Sequence, residues 1–396
     1  MKELVDLVVE REWRAPLVAR GLQEAGMLGT LYGGFPKSRY VTAAVPAEHI
    51  ISSPLPALWN HAANKLRLPG TLRMDEPKRL AGFVAGQTSL SKVVVSFATC
   101  YQFLFPKLVC RDVVRVIECG SMHPEDHFHL EERARQQAGL SFRTDLPERI
   151  RDEMEVAKSA HFLMCGSQMV VDSYVNRGYS RERAILCPYG IDTDRFAYAA
   201  RRVQIDSPLR IAMVGIISVR KGIWRLLEIA RWAAAAGHPV ELWLIGPVEP
   251  DADALIARSG VSVRRCGVLK GNDLVTTLHQ ADIYCLPSYE EGFPKSLIEA
   301  MASGMFSITS GDTGGREAIR DGIDGLVLHD FTAAEFASKL QPWLQDAPRR
   351  LAAAKAGSDS AQEQFSLPAY FKRLQHCYSQ MLEIDSVTQL QGAFSF

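Results

Sequence analysis

Long hydrophobic runs are missing from this chain. No apolar stretch approaches the ~20 residues that span a bilayer, so no segment reads as a transmembrane helix. Excess charge of one sign is missing too. Lys and Arg total 45, and Asp and Glu total 45, among 396 residues, which argues against bulk nucleic-acid binding. The N-terminal string MKELVDLVVEREW places acids inside its apolar stretch, which argues against a secretory signal. The eight cysteines form no C-x-x-C pair. Cys100, Cys110, Cys119, Cys165, Cys187, Cys266, Cys285 and Cys377 are scattered, several inside apolar runs. They read as reduced core thiols of a cytoplasmic protein. Low-complexity tracts and internal repeats are absent as well. What is there is 47% hydrophobic and 23% charged, the composition of a soluble globular enzyme. The length suggests two or three domains.

From residue 205 onward the alternation is regular. LRIAMVG (209–215), VELWLIG (240–246), VSVRRCG, ADIYCLP, MFSITS and DGLVLH read as strands. Helices read at GIWRLLEIARWAAAAG (222–237), DADALIARSG (251–260), NDLVTTLHQ and PKSLIEAMASG, with a short one at GREAIRDG. In the first of these, Ile223, Leu226, Leu227 and Ala230 share one face at the 3.6-residue period. Near-continuous apolar strands between amphipathic helices predict a parallel sheet covered on both faces. The N-terminal half is similar in kind, with strands at 4–10, 27–33, 92–97, 113–118, 161–166 and 184–188. Its helices read at 12–26, 125–139, 145–159 and 167–177, and Pro36 to Gly86 allows no firm assignment. FAYAARRVQIDSP (196–208) carries no strong period and reads as a linker. The expected organisation is a first domain over 1–197, a linker over 198–208 and a second domain over 209–367. The last helical pattern, in the segment 368–396, is expected to pack back on the first domain. Two doubly wound domains face a cleft at the C-terminal ends of their strands, where ligands of open α/β sheets sit.

The densest chemistry lies in PSYEEGFPKSLIEAMASG (287–304). Glu291 and Glu299 stand with seven residues between them, separated by a turn of Gly292, Phe293 and Pro294 and the start of a helix. Helix N-terminal N–H groups attract phosphate, and carboxylates accept hydrogen bonds from sugar hydroxyls. A nucleotide-sugar carries both groups. The plainer alternative is a surface loop acid and a helix acid favoured by the macrodipole. Arg220 and Lys221 lie between the first strand and first helix of the second domain. Cations fixed in a dry cleft stabilise a departing diphosphate. A merely solvated basic pair is the alternative, at a spot where the helix dipole disfavours cations. His123, His127 and His129 lie close together and raise a zinc reading. Against it, His123 precedes Pro124 and falls outside the helix, and no third ligand is evident. Lys65, Arg67, Arg73, Lys78 and Arg79 suit anionic lipid headgroups, or form a solvated face interrupted by Asp75 and Glu76.

Together these strings resemble the signature of glycosyltransferase family 4, retaining enzymes of the GT-B fold. Pro287-Ser288, Glu291-Gly292-Phe293, Glu299-Ala300-Met301 and Gly304 match it at fixed spacing. The resemblance covers most of the chain and is most specific from Gly215 to Gly325. It implies an α/β architecture of two Rossmann-like, doubly wound parallel-sheet domains around a central cleft. It implies that Glu291 and the following turn hold the donor sugar and that Glu299 holds the ribose hydroxyls. Gly292, Phe293, Pro294 and Lys295 would offer the backbone of the turn, with Lys295, Ser296 and Leu297 near the diphosphate. The segment from Gly215 to Lys221 resembles the family's Gly-to-Lys-Gly string. Ile216 stands where many members carry Arg, and Arg220 is available to supply that charge. CGSMHPEDH resembles a loop that brings a histidine of the first domain to the reacting sugar, here His123, with Gly120 and Ser121 beside it.

CPYGIDTDRF resembles the family's domain-closing segment, so Asp192-Thr193-Asp194 reads as structural rather than as a metal-binding D-x-D. Thr313-Gly314-Gly315 with Glu317 resembles a glycine pair and Glu near the donor cleft, or is an ordinary cap and turn. Where many members have a glycine-rich loop after the first strand, this chain reads EREWRAP (10–16), which leaves Arg11 and Arg14 to face the cleft. The implied activity is metal-independent, retaining transfer of a hexose from a nucleoside diphosphate sugar. The acceptor is a hydroxyl of a glycan or lipid-linked molecule, in cell-surface polysaccharide or glycolipid synthesis. No cofactor beyond the donor and no nucleic-acid partner is implied. The expected place is the cytoplasm, with peripheral contact at the inner face of the membrane through the first domain. A nucleotide-sugar epimerase or hydrolase on the same architecture, and a partner subunit with a degraded site, stand as the alternatives.

Overall fold

The computed structural model describes residues 4–10, 14–41, 45–142, 145–200 and 208–390. Its framework is two parallel sheets. The first contains β1 (Val5–Val9), β2 (Leu28–Gly33), β3 (Ile50–Ser52), β4 (Val93–Phe97), β5 (Val114–Cys119), β6 (Phe162–Cys165) and β7 (Ala184–Leu186). Their order is β3-β2-β1-β4-β5-β6-β7. The second contains β8 (Leu209–Val214), β9 (Val240–Ile245), β10 (Val263–Gly267), β11 (Ile283–Leu286), β12 (Phe306–Ser310) and β13 (Gly325–Leu328), in the order β10-β9-β8-β11-β12-β13.

The helices around the first sheet are α1 (Ala15–Glu24), α2 (Lys37–Val41), α3 (Leu55–Lys65), α4 (Glu76–Ala85), α5 (Tyr101–Leu108), α6 (Pro124–Gln137), α7 (Glu148–Ala157) and α8 (Gln168–Val175). Those that follow are α9 (Ile223–Ala235), α10 (Pro250–Ala257), α11 (Gly271–Gln280), α12 (Lys295–Ala302), α13 (Ala333–Glu335), α14 (Gln341–Gln345), α15 (Ala347–Phe365) and α16 (Leu367–Leu382).

The strands β1, β4 and β5 are buried along their whole length because helices cover both faces. Asp6 is the acid inside β1. It accepts from Thr30 N at 2.7 Å, Ser91 N at 2.8 Å and Ser91 Oγ at 2.8 Å, so protein donors replace its water. Strand order reverses at β1/β4 in one sheet and β8/β11 in the other. The crevices outside the strand ends at those two points are where this architecture places ligands.

The stretch from Pro36 to Gly86 folds as α2, β3, α3 and α4. The GREAIRDG segment is a 3₁₀ turn at Gly314–Glu317 rather than an α-helix. Beyond the second sheet, α15 lays the small residues Ala353, Ala354, Gly357, Ser358 and Ala361 inward, and Ser358 Oγ donates to Ala302 O of α12 at 2.8 Å. The chain then crosses back where Ile191 N donates to Phe365 O at 2.8 Å. From there α16 packs on α1. Its ring of Phe371 comes within 2.7 Å of where a Cβ on Gly21 would stand, and Tyr370, Leu374, Tyr378 and Met381 are buried. Six cysteines are buried as expected, whereas Cys110 is exposed and Cys266 half-buried. None of the eight is in a disulfide. Among the described residues no helix is long and apolar enough to cross a membrane. Arg11 and linker residues 201–207 lie outside the described residues.

Candidate active site

The loops after β8 and β11 touch because of one glycine. Gly222 has φ +78°, and a Cβ there would stand 2.0 Å from Pro287 O. Only glycine tolerates both the left-handed backbone and that approach. The contact lays Arg220 and Lys221 over the 287–291 segment. Arg220 donates to Glu290 O at 2.7 Å, to Glu290 Oε2 at 3.0 Å and to Glu291 Oε1 at 3.4 Å. Lys221 pairs with Glu291. Gly215 leaves room for this ammonium, which lies 3.8 Å from where a Cβ would stand. Immediately beyond, α12 opens at Lys295 behind Pro294, which supplies no side-chain cap to the first-turn N–H groups. Such an N-terminus favours an anion. Burial raises the pKa of Glu299, one turn further on, while Lys295 and Arg195 pull it back.

The expected donor-binding positions divide by orientation. Lys295 is exposed, and Ser296 Oγ shares a 2.7 Å hydrogen bond with Tyr284 OH. Phe293 is buried between the domains, edge-on to Tyr189 at 5.8 Å and against Phe365 at 5.4 Å. Leu297 is fully buried and its N–H already donates to Pro294 O at 3.1 Å. Phe293 and Leu297 therefore hold the turn in place, and their side chains do not face the cleft.

The first domain closes against this turn. A Cβ on Gly292 would stand 2.5 Å from Gly120 O, and Ser167 Oγ donates to Gly292 O at 2.6 Å. Gly314 N donates to Glu291 O at 2.9 Å from the other side. Glu317 accepts from Gln168 N at 2.6 Å and Met169 N at 2.8 Å, capping α8 of the first domain. Helix α6 also crosses. Tyr289 OH donates to Gln137 at 2.6 Å, and Arg133 and Arg135 pair with Asp312 and Asp251 at 3.2 and 2.8 Å.

Between these contacts lies a carboxylate not singled out in the sequence. Glu290 is 2% exposed and accepts from Ser121 Oγ at 2.6 Å, Met122 N at 3.3 Å, Arg220 at 3.0 Å and His127 Nδ1 at 3.0 Å. Burial pushes its pKa up, but His127, Arg220 and Ser121 outweigh burial and hold it at about 2. Burial pushes His127 down, and Glu290 more than reverses that, so its pKa is raised. The available signals were the Glu290-Glu291 doublet and the one-turn spacing of His123 and His127. His123 itself is buried as the N-cap of α6. Its ring lies edge-on to Tyr174 at 5.2 Å, and its N–H donates to Ser173 Oγ at 2.9 Å. Burial and Arg177 lower its pKa to about 4, so it is neutral at pH 7. It is His127, rather than His123, that crosses to the second domain. His129 turns to Glu132 and Glu125. The three imidazoles have three different partners, and among the described residues no group of three His, Cys, Asp or Glu side chains converges on one point.

Arg14 occupies the place after β1 where a glycine-rich loop was expected. It lies 3.7 Å over the Tyr189 ring and 3.2 Å from Glu118. Burial raises Glu118 to about 7 against the pull of Arg14. In the D-x-D segment Asp192 Oδ1 accepts from Arg195 N at 3.1 Å, an Asx-type turn.

Residues 208–346 match the family model described as Glycosyl transferases group 1. The D-inositol 3-phosphate glycosyltransferase of Corynebacterium aurimucosum is 31% identical over 210 residues, covering 50% of this chain and 49% of that protein. The N,N'-diacetylbacillosaminyl-diphospho-undecaprenol alpha-1,3-N-acetylgalactosaminyltransferase of Campylobacter jejuni is 39% identical over 176 residues, covering 44% and 46%. The chain spans about half the length of the curated relatives it matches. Among solved structures, sucrose-phosphate synthase from Thermosynechococcus elongatus aligns with a TM-score of 0.71 at 18% identity, over 95% of this chain and 98% of that one. Anabaena HepE in complex with UDP aligns with a TM-score of 0.68 at 14% identity, over 96% and 100%. At such identities the likeness shows the fold. The two-sheet architecture is GT-B, and the similarity to the glycosyl transferases group 1 family lies in residues 208–346.

Proposed function

We propose that the protein is a retaining glycosyltransferase that moves a hexose from a nucleoside diphosphate sugar to a hydroxyl of a glycan or lipid-linked acceptor. The carrying observation is the convergence of Arg220, Lys221 and Glu291 beside the uncapped start of α12, at the β8/β11 switch point. The UDP held by HepE on the same fold fits this reading. So does the match of residues 208–346 to a glycosyltransferase family model.

In this reading Glu299 accepts from the ribose hydroxyls and Glu291 from the donor sugar. The bond from the anomeric carbon to the diphosphate breaks while the acceptor oxygen bonds to that carbon from the same face. The acceptor proton passes to the departing phosphate oxygen. Arg220, Lys221 and the N–H groups of α12 meet the negative charge that develops there, so the charge is met by side chains and helix N–H groups rather than by a metal. These cations are engaged with Glu290 and Glu291 beforehand, so they are held in place before the donor arrives. Neutral His123 acts near the reacting sugar as a hydrogen-bonding group rather than a charge. The acceptor enters from the first domain.

The test is proton NMR of the protein with UDP-, GDP- and ADP-sugars and a panel of glycan and lipid-linked acceptors. Transfer with the anomeric configuration kept, and ~100-fold slower in Lys221→Ala, is expected. Free sugar or an epimer formed without acceptor points instead to a hydrolase or epimerase.

A further inference from the structure

Helix α6 belongs to the first domain by sequence and to both domains by packing. Its root is fixed on the first domain. His123 N–H donates to Ser173 Oγ at 2.9 Å, and Arg177 pairs with Glu125, and with Asp126 at 2.6 Å. The tip, residues 130–140, lies on the second domain instead. Ala134 and Ala138 are buried in that domain's apolar cluster, and Leu140 packs against it. Arg133, Arg135 and Gln137 meet Asp312, Asp251 and Tyr289.

The tip is held weakly. Alanines bury little apolar area, and of the fourteen residues of α6 only Phe128 and Ala134 are buried. The ion pairs are partly solvated, with side chains 43% and 22% exposed for Arg133 and Asp312, and 25% and 47% for Arg135 and Asp251. Such pairs contribute little. Helix α16, by contrast, buries Tyr370, Phe371, Leu374, Tyr378 and Met381 on the first domain. It is therefore α6 that can let go. A short polar helix end that loses its packing partner frays, because isolated short helices are marginal in water. Tyr289 stays in place without the tip. Trp224 Nε1 donates to its hydroxyl at 2.7 Å, and Arg225 stacks 3.5 Å over its ring.

The tip covers part of the cleft. Between it and the loop after β8 is a cavity of about 80 Å³, with Glu131 and Arg135 on one wall and Ser218, Arg220 and Glu249 on the other. Small-molecule sites occupy roughly 300–1,000 Å³. As α6 lies, a sugar does not fit on this side of Arg220.

We infer that residues 130–140 are a strap over the cleft, which unfastens from the second domain to let a nucleoside diphosphate sugar reach Arg220. The opening is local. It leaves the root on Ser173 and Arg177, and His127 on Glu290. The identity of the ligand rests on the transferase reading, whereas the strap rests on packing alone.

The experiment is hydrogen exchange of the full chain, read by mass spectrometry, in the wild type and in Arg133→Ala/Ala134→Glu/Gln137→Ala. Arg135 is left in place because it lines the cavity. The variant removes two polar contacts and sets a charge against the apolar cluster, so exchange over 130–140 should rise at least about tenfold. Exchange in β5, α7 and α8 should stay as in the wild type. Unchanged exchange over 130–140 overturns the inference, and so does a rise spread evenly over the first domain. Stopped-flow binding of UDP-, GDP- and ADP-sugars then reads the gate. The donor that binds should associate at least about threefold faster with the variant. An equal rate overturns the gating role. Binding of none of the three to either protein counts against the transferase reading, and the exchange result then decides the strap by itself.

Discussion

Replacing Glu290 with Gln tests the electrostatics that tie the two domains together. The amide keeps an oxygen for Ser121 and Met122 but loses the charge that faces Arg220 and His127. The carboxyl is 2% exposed, and its pKa falls from 4.5 to about 2. That gap is worth about 3 kcal/mol of stability at pH 6. Glu290→Gln is therefore expected to lose about 2–3 kcal/mol, and His127→Gln about 1 kcal/mol because His127 is partly solvated. The double variant should lose less than the two together, with a coupling of about 1 kcal/mol. The sign with pH follows from the two shifts. Glu290 is depressed, so its share is present above 4.5 and lost as pH falls toward about 2. His127 is raised, so its share is full below 6.5 and lost as pH rises through its folded value. The coupling is thus largest between about pH 4.5 and 6.5. Urea unfolding of the four proteins at pH 6 and pH 9, followed by circular dichroism and tryptophan fluorescence, reads it. A coupling within about 0.3 kcal/mol of zero at pH 6, or one larger at pH 9, refutes the reasoning.

Three further outcomes follow from packing and burial. In Gly292→Ala the new methyl meets Gly120 O at 2.5 Å, so a loss of about 1–3 kcal/mol and a larger radius of gyration by X-ray scattering are expected. An unchanged radius and melting point contradict that close approach. Glu118, raised to about 7, binds a proton in the fold that it sheds when unfolded above pH 4.5. Stability should therefore fall between pH 5 and 8 by up to about 3 kcal/mol through this group, and Glu118→Gln should flatten that fall. Leu374→Ala, at 1% exposure on the face of α16 that meets α1, should cost about 2–5 kcal/mol by denaturant titration. A cost below about 1 kcal/mol means that α16 is not held there.

Most strands were legible because parallel strands buried on both faces are continuous apolar runs, and Gly or Pro marks their ends. Where the period fails, so does the reading. Helix α3 carries Leu and Trp outward, α15 packs through Ala, Gly and Ser, and α5 contains Pro106. The first two show no apolar face of ordinary width, and in α5 the internal Pro106 masks a face of Tyr101, Leu104, Phe105 and Leu108. The cluster of Arg220 and Lys221 with Glu291, near Glu299, was legible because its members lie in two short loops and one helix turn. The contacts across the cleft were not, since they join residues far apart in the chain. Glu290 meets Ser121 over 169 positions, and Glu317 meets Gln168 over 149. Arg14 was named only for standing where glycines were expected. Its pairing with Glu118 across 104 positions gives that substitution a physical reason.

The central claim is a nucleotide-sugar site between the loops after β8 and β11. Isothermal titration of UDP-, GDP- and ADP-sugars into the wild type and Glu299→Ala tests it most directly. One nucleotide should bind with micromolar affinity, and the variant should weaken it at least about tenfold, the loss of roughly one hydrogen bond to a charged group. Heat from none of the donors, or equal affinity in both proteins, contradicts the placement of the site.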